Sequence, residues 1–202
     1  MMERRKFKQK ELLDVFEVIS KNIQSETKVY LIGGLGMVLH GLKASTKDVD
    51  LVFDTRPDLK KFVFACKHEG MDDIVQKTEE YIQLGTQNIF ESKNGVRLDI
   101  FYKQVCNGLI LSEDMKDRAQ KSITFPNLEV FVMSKEDIFL FKSITLRDDD
   151  LEDMAALATT ELDWNIIEIE ARTQPRSKEW LPRLRERLMD LYDDHGVTSP
   201  LI

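Results

Sequence analysis

The sequence predicts an α/β chain whose strands lie in the first two-thirds and whose last third is helical. Two observations carry this. Runs of β-branched and aromatic residues near 28–32, 48–54, 96–102 and 128–133 are interleaved with segments of helical apolar spacing, and from residue 134 onward only helical patterns recur. At 202 residues the chain is long enough for one domain with an appendage or for two small domains.

Between Phe7 and Ile23 the apolar residues Leu12, Phe16, Ile19 and Ile23 return every three or four positions, which defines one buried helical face. The run K-V-Y-L-I at 28–32 stops at Gly33-Gly34, so a strand enters a tight turn there. A short helix from Leu35 to His40 follows, ended by Gly41. In D-V-D-L-V-F-D, residues 48–54, alternation sets Val49, Leu51 and Phe53 on one face of a strand. Asp48, Asp50 and Val52 fall on the other. Pro57 opens a helix running to His68, with Gly70 beyond its end. Strands are expected at Glu80 to Leu84 and at Val96 to Tyr102, joined around the turn signal S-K-N-G. A helix near 113–121 and a strand at 128–133 complete the first part. Ser134 with Asp137 resembles a helix start, and helices are expected at 135–146, 149–159, 164–171 and 183–194. The one linker-like stretch is T-Q-P-R-S-K at 173–178. Residues 1–133 therefore read as a core and 134–202 as a helical region.

Composition narrows the function. Apolar residues make up 42% and charged residues 32%, so the chain can bury a core and is not compositionally disordered. Its net charge of −7 argues against a surface that binds nucleic acid all over, although residues 171–189 carry six basic and two acidic side chains. That segment, with Arg183, Arg185 and Arg187 beside Trp180, could meet RNA or an acidic partner. An amphipathic closing helix burying Leu181, Leu184, Leu188 and Leu191 explains the apolar spacing equally well. No long apolar run or signal core is present, so a cytoplasmic protein is expected. Cys66 and Cys106 lack metal or disulfide spacing and read as reduced structural thiols.

The chemistry is concentrated in residues 31–54 and 96–102. Carboxylates at i and i+2 on a strand point the same way, about 7 Å apart, close enough to share a pair of hard cations. Asp48 and Asp50 satisfy this spacing, and Asp99 in another strand would add a third carboxylate if the strands were neighbours. A calcium loop is excluded, because its template wants glycine and glutamate where this chain has Phe53 and Leu59. Gly33-Gly34, between a strand and a helix, offers backbone amides to phosphate oxygens without Cβ obstruction. Phosphate recognition beside paired metals points to phosphoryl-type transfer.

Taken together, Gly-Gly after a strand, a short helix, T-x-D-x-D leading into the next strand and a later strand Asp resemble the nucleotidyltransferase superfamily of DNA polymerase β type. The likeness is to its minimal members, which include the toxins of type IV toxin–antitoxin pairs and the small aminoglycoside and lincosamide enzymes. This resemblance implies a nucleotidyltransferase core with a mixed sheet flanked by helices. It implies that Gly33 and Gly34 hold the triphosphate of an NTP, that Asp48, Asp50 and Asp99 bind two Mg2+ ions, and that Asp99 is the base for a hydroxyl acceptor. Lys142 is similar in placement to a helical lysine near the nucleotide phosphates, and R-D-D-D-L-E-D resembles an R-x-x-D-x-x-D signature, which suggests roles for Asp150 or Asp153. Two departures stand out. Many members have serine after the first glycine, where this chain has Gly34, and arginine before the acidic pair, where it has Lys43 and Lys47. The acceptor implied is an RNA end, a protein or a small molecule. The alternative is a non-catalytic or partner-regulated nucleotide-binding module of a toxin–antitoxin type pair, for which a displaced Asp99 would be the sign.

Overall fold

The computed structural model describes residues 4–74, 79–106, 108–145 and 147–201. In chain order the elements are α1 (Gln9–Ser20), β1 (Thr27–Ile32), α2 (Gly33–Leu39), β2 (Asp48–Phe53), α3 (Arg56–His68), β3 (Asp72–Asp73), α4 (Glu79–Leu84), β4 (Asn88–Glu91), β5 (Arg97–Tyr102), β6 (Gln104–Val105), β7 (Leu109–Ile110) and α5 (Glu113–Arg118). They continue with β8 (Gln120–Phe125), β9 (Leu128–Val132), α6 (Lys135–Ser143), α7 (Asp148–Ala158), α8 (Trp164–Thr173) and α9 (Ser177–His195). Seven strands form one mixed sheet in the order β3-β4-β5-β2-β1-β9-β8, and β6 and β7 pair separately.

The two faces of the sheet are buried by different helices, as alternation requires. Val49, Leu51 and Phe53 of β2 join Val29 and Leu31 of β1 in a core closed by Leu12, Phe16 and Ile19 of α1 and by Leu59 and Phe62 of α3. Thr55 starts α3 by accepting a hydrogen bond from the Asp58 amide, with Pro57 in the first turn. On the other face Tyr30, Ile32, Val52 and Phe101 pack with the C-terminal helices, including Ile138, Phe139, Met154, Ile167 and Leu188. Helix α6 is the hub of this layer: it contacts α2, α7, α8 and α9, and its residues from Asp137 to Ser143 are all buried. Ser134 caps it by accepting from the Asp137 amide. Arg118 at the end of α5 donates to both Asp137 (2.6 Å) and Glu170 (2.6 Å), tying α5, α6 and α8 together.

Three expectations are corrected. Residues 80–84 are not a strand, since they fall in helix α4. The hairpin turn S-K-N-G is real, but the strand it folds back is β4, with Glu91 opposite Arg97 and Asn88 opposite Ile100. A tight turn pairs the residues flanking it, so the partner had to lie at 88–91. The helix expected to reach 121 ends at Arg118, and residues 120–125 are an edge strand with an exposed, largely polar pattern. Such strands carry no apolar run to announce them. The last helix begins at Ser177, absorbing the end of the linker-like stretch and carrying Pro182 inside it. The predicted end of the sixth helix at 146 lies outside the described residues.

Candidate functional site

Pairing of β2 with β5 is parallel and sets Asp50 directly beside Asp99 and Asp48 beside Arg97. Four charged residues thus form a two-by-two block on one sheet face. Further along, the same face continues into Val52 and Phe101, which are buried under the C-terminal helices. Asp48 and Asp50 occupy the end that those helices leave open, and Asp99 is buried beside Asp50. There a cleft of about 620 Å³ runs between β2 and its lead-in on one side and the start of α7 on the other. Asp48, Asp50, Gly34, Lys142 and Asp150 are among the residues that line it.

The carboxylates are crowded. Burial pushes the Asp50 carboxyl well above the usual range, and the charges of Asp48 and Asp99 push it further, while Arg147 and Lys142 pull it back. Asp99 is buried and is raised to about 6, chiefly by loss of water, with Arg97 opposing and Asp48 reinforcing the shift. Arg97 Nε donates to Asp99 Oδ1 at 2.9 Å, and its guanidinium lies over the Tyr81 ring of α4 at 4.1 Å. Arg4 donates to Asp48 Oδ2 at 3.2 Å. Among the described residues no group of three or more His, Cys, Asp and Glu side chains is drawn together as a metal cage. The donor set nevertheless suits a hard divalent cation. It consists of carboxylate oxygens alone, on adjacent strands, whose mutual repulsion a cation would relieve.

Gly33 and Gly34 open α2 directly over these groups. Gly33 has φ +62, and a Cβ there would overlap Asp50 Oδ2 and lie 3.0 Å from its Cγ. A Cβ on Gly34 would overlap Thr46 Oγ1 and lie 2.9 Å from Thr46 Cβ. Both glycines are therefore required by what lies beneath them. Gly33→Ala combines a left-handed backbone with a clash against a charged group, and its expected cost is about 2–4 kcal/mol in urea unfolding. A loss below ~0.5 kcal/mol would show that the turn is not packed in this way.

The opposite wall is an ion cluster. Lys142, buried on α6, meets Asp150 at 2.7 Å and Asp153 at 2.6 Å on α7. Lys43 meets Asp153 at 2.6 Å and Lys47 meets Asp149 at 3.3 Å, so the two lysines preceding the acidic pair bridge to α7. Arg147 donates to Asp150 at 2.8 Å, and Thr145 also donates to it. Burial opposes both charges of the central pair, yet the neighbours prevail. The Asp150 carboxyl is held down at about 2 and the Lys142 ammonium is held above its ordinary value. The structure thus brings Gly34, Asp48, Asp50, Lys142, Asp150 and Asp153 to one cleft. It places Asp99 beside Asp50, held by Arg97, and Gly33 against Asp50.

A search by family places residues 10–181 in a family described as "Nucleotidyltransferase of unknown function (DUF6036)". The chain belongs to that family. This nucleotidyltransferase shares its fold with two solved structures at low sequence identity. One is the lincosamide antibiotic adenylyltransferase LnuA in its lincomycin-bound form, with 19% identity, 76% of this chain and 98% of that chain covered, and a TM-score of 0.51. The other is the antibiotic-resistance factor ANT(2'')-Ia, with 10% identity, 94% and 99% coverage, and a TM-score of 0.51. None of the curated proteins matches the nucleotidyltransferase in sequence.

Arg4 and Arg97 were not singled out in the sequence, and Thr46 entered it only as the first residue of T-x-D-x-D. Arg97 carries a readable signal, because it sits two residues before Asp99 on the same strand face. Arg4 carries none that local pattern would isolate. The basic segment 171–189 does not act as one charged face in the structure. Arg172 is paired with Glu168, Arg176 with Glu179, and the buried Arg187 with Asp190 and the Arg147 carbonyl. Arg183 lies against Trp180 and donates to the Ile144 carbonyl. Among the described residues no helix is long and apolar enough to cross a membrane.

Proposed function

We propose that this nucleotidyltransferase moves a nucleoside monophosphate from an NTP to a hydroxyl acceptor, releasing pyrophosphate, at the carboxylate face of β2 and β5. The observation that carries the reading is the register of those strands, which sets Asp99 directly beside Asp50, itself a lining residue of the cleft together with Asp48. Asp48, Asp50 and Asp99 would hold two Mg2+ ions, which when bound neutralise charge on the reacting phosphate. The chain's own residues do the rest. The Gly33-Gly34 turn admits phosphate to the backbone, Lys142 and Asp150 line the far wall, and Asp99 receives the acceptor proton. Its Oδ1 is engaged by Arg97, which leaves Oδ2 for that task. As the acceptor oxygen bonds to the α-phosphorus, the bond from that phosphorus to the pyrophosphate oxygen breaks. In this reading residues 1–133 form the transferase core and 134–202 a helical region closing over it, in a cytoplasmic protein.

The acceptor is an RNA end, a protein or a small molecule. LnuA, an adenylyltransferase seen with lincomycin, supports the small molecule. A second reading, a partner-regulated module of a toxin–antitoxin type pair, is favoured by the arginines that occupy Asp48 and Asp99. The test is incubation with each α-labelled NTP, Mg2+, and in turn total RNA, cell extract and a panel of polyhydroxylated small molecules. Label transfer that disappears in Asp48→Asn/Asp50→Asn supports the enzyme. Mg2+-dependent NTP binding without transfer supports the module. No nucleotide binding by calorimetry with or without Mg2+ rejects both.

A further inference from the structure

We propose that the Thr46 hydroxyl is a phosphate contact of the bound NTP, delivered to the Gly33-Gly34 turn from the segment leading into β2. The proposal rests on the nucleotidyltransferase reading of the cleft and names a binding residue within it.

Thr46 is 5% exposed, yet it lines the cleft beside Gly34, Lys43 and Lys142. Its backbone is fully committed. Phe7 N donates to the Thr46 carbonyl at 2.7 Å and Thr46 N donates to the Phe7 carbonyl at 3.0 Å, with Phe7 itself anchored in the core. The hydroxyl is the one polar group of the residue that its backbone pairing leaves over, on a side chain that lines the cleft. A hydroxyl held at the edge of the cleft on a fixed backbone can donate to a ligand that enters there.

Position identifies the ligand. Thr46 Oγ1 sits where the first side-chain atom of residue 34 would be if that residue were not glycine. A ligand that enters the cleft and approaches the Gly34 backbone therefore meets the Thr46 hydroxyl at the same point. In the proposed reaction the group that reaches this turn is the triphosphate, and a threonine hydroxyl donates well to phosphate oxygen. Thr46 is fixed by its paired backbone and has a single stiff χ1 torsion, so the donor is already in place when the nucleotide arrives.

Thr46→Val keeps the shape and removes the donor, whereas Thr46→Ser keeps the donor and removes a methyl group. With Mg2+ present, Thr46→Val is expected to weaken binding of the preferred NTP about tenfold by calorimetry. Thr46→Ser should stay within about twofold of the wild type. Affinity for the corresponding nucleoside, which has no phosphate, should be the same in all three proteins, as should the melting temperature within ~2 °C. If Thr46→Val proves unstable, Thr46→Ser against Thr46→Ala gives the same comparison. A Thr46→Val protein that binds NTP like the wild type overturns the proposal and leaves the function standing. Equal loss of NTP and nucleoside affinity also overturns it, since packing alone would then be responsible. A wild-type protein that binds no NTP removes the function and this inference together.

Discussion

Asp50→Asn is expected to abolish nucleotidyl transfer, by at least about 10³-fold, and at the same time to raise the melting temperature of the metal-free protein. The two effects share one cause. Asp50 lies between Asp48 and Asp99, and both burial and these neighbours oppose its charge. A neutral amide of the same shape removes that repulsion, and for a chain of this size each kcal/mol recovered is worth about 2–4 °C. Acid should act in the same direction. The carboxyl of Asp99 is raised to about 6 in the folded protein from an ordinary value of 3.8, so the native state holds its proton more tightly than the unfolded chain does. Its stabilising contribution is complete below about pH 4 and is lost as pH rises through 6, amounting to about 3 kcal/mol. Metal-free wild type should therefore melt higher at pH 5 than at pH 7, and Mg2+ at pH 7 should restore the difference. In Asp50→Asn both responses should be smaller. Thermal melts at the two pH values, with and without Mg2+, check this directly. Full transfer activity in Asp50→Asn would remove the acidic pair from the mechanism.

Lys142→Ala is expected to have the opposite signature, losing stability first. Removing this ammonium leaves Asp150 and Asp153 buried without their shared partner, and breaking such a cluster from one side costs about 3–5 kcal/mol. Melting should fall by roughly 10 °C. Arg147 still reaches Asp150, and Lys43 still reaches Asp153, so the loss should not unfold the protein outright. The triple variant Lys142→Met/Asp150→Asn/Asp153→Asn removes the charges together and should recover most of the stability, because no uncompensated charge remains. Its transfer activity should stay low if the cluster also serves the nucleotide. Recovery of both stability and activity would assign Lys142 to the scaffold alone. Urea unfolding with parallel transfer assays separates these outcomes.

How much of this was legible follows from the range over which each signal acts. Alternation along β2 announced Asp48 and Asp50 on one face, because the period of a strand is a property of the strand itself. The same reasoning placed Asp99 on a strand, the capping role on Ser134 and the turn on S-K-N-G. Where neighbours decide, local pattern failed. Residues 80–84 alternate passably as a strand, but 88–91 claimed the hairpin, and the displaced segment became a helix whose Tyr81 supports Arg97. Edge strand β8 has almost no apolar face, so nothing in its sequence distinguished it from the end of a charged helix.

By itself the sequence determined the α/β order of elements, the acidic pair, the third aspartate and the glycine turn, since each is written in the spacing of adjacent residues. Only the tertiary structure decided what those groups touch. It set Asp99 against both Asp50 and Arg97, placed Arg4 on Asp48, packed Thr46 against Gly34 and enclosed Lys142 between Asp150 and Asp153. The reason is physical. Backbone periodicity fixes the direction of a side chain within its own element, whereas the charge, hydration and partners of that side chain depend on elements that packing brings in from elsewhere.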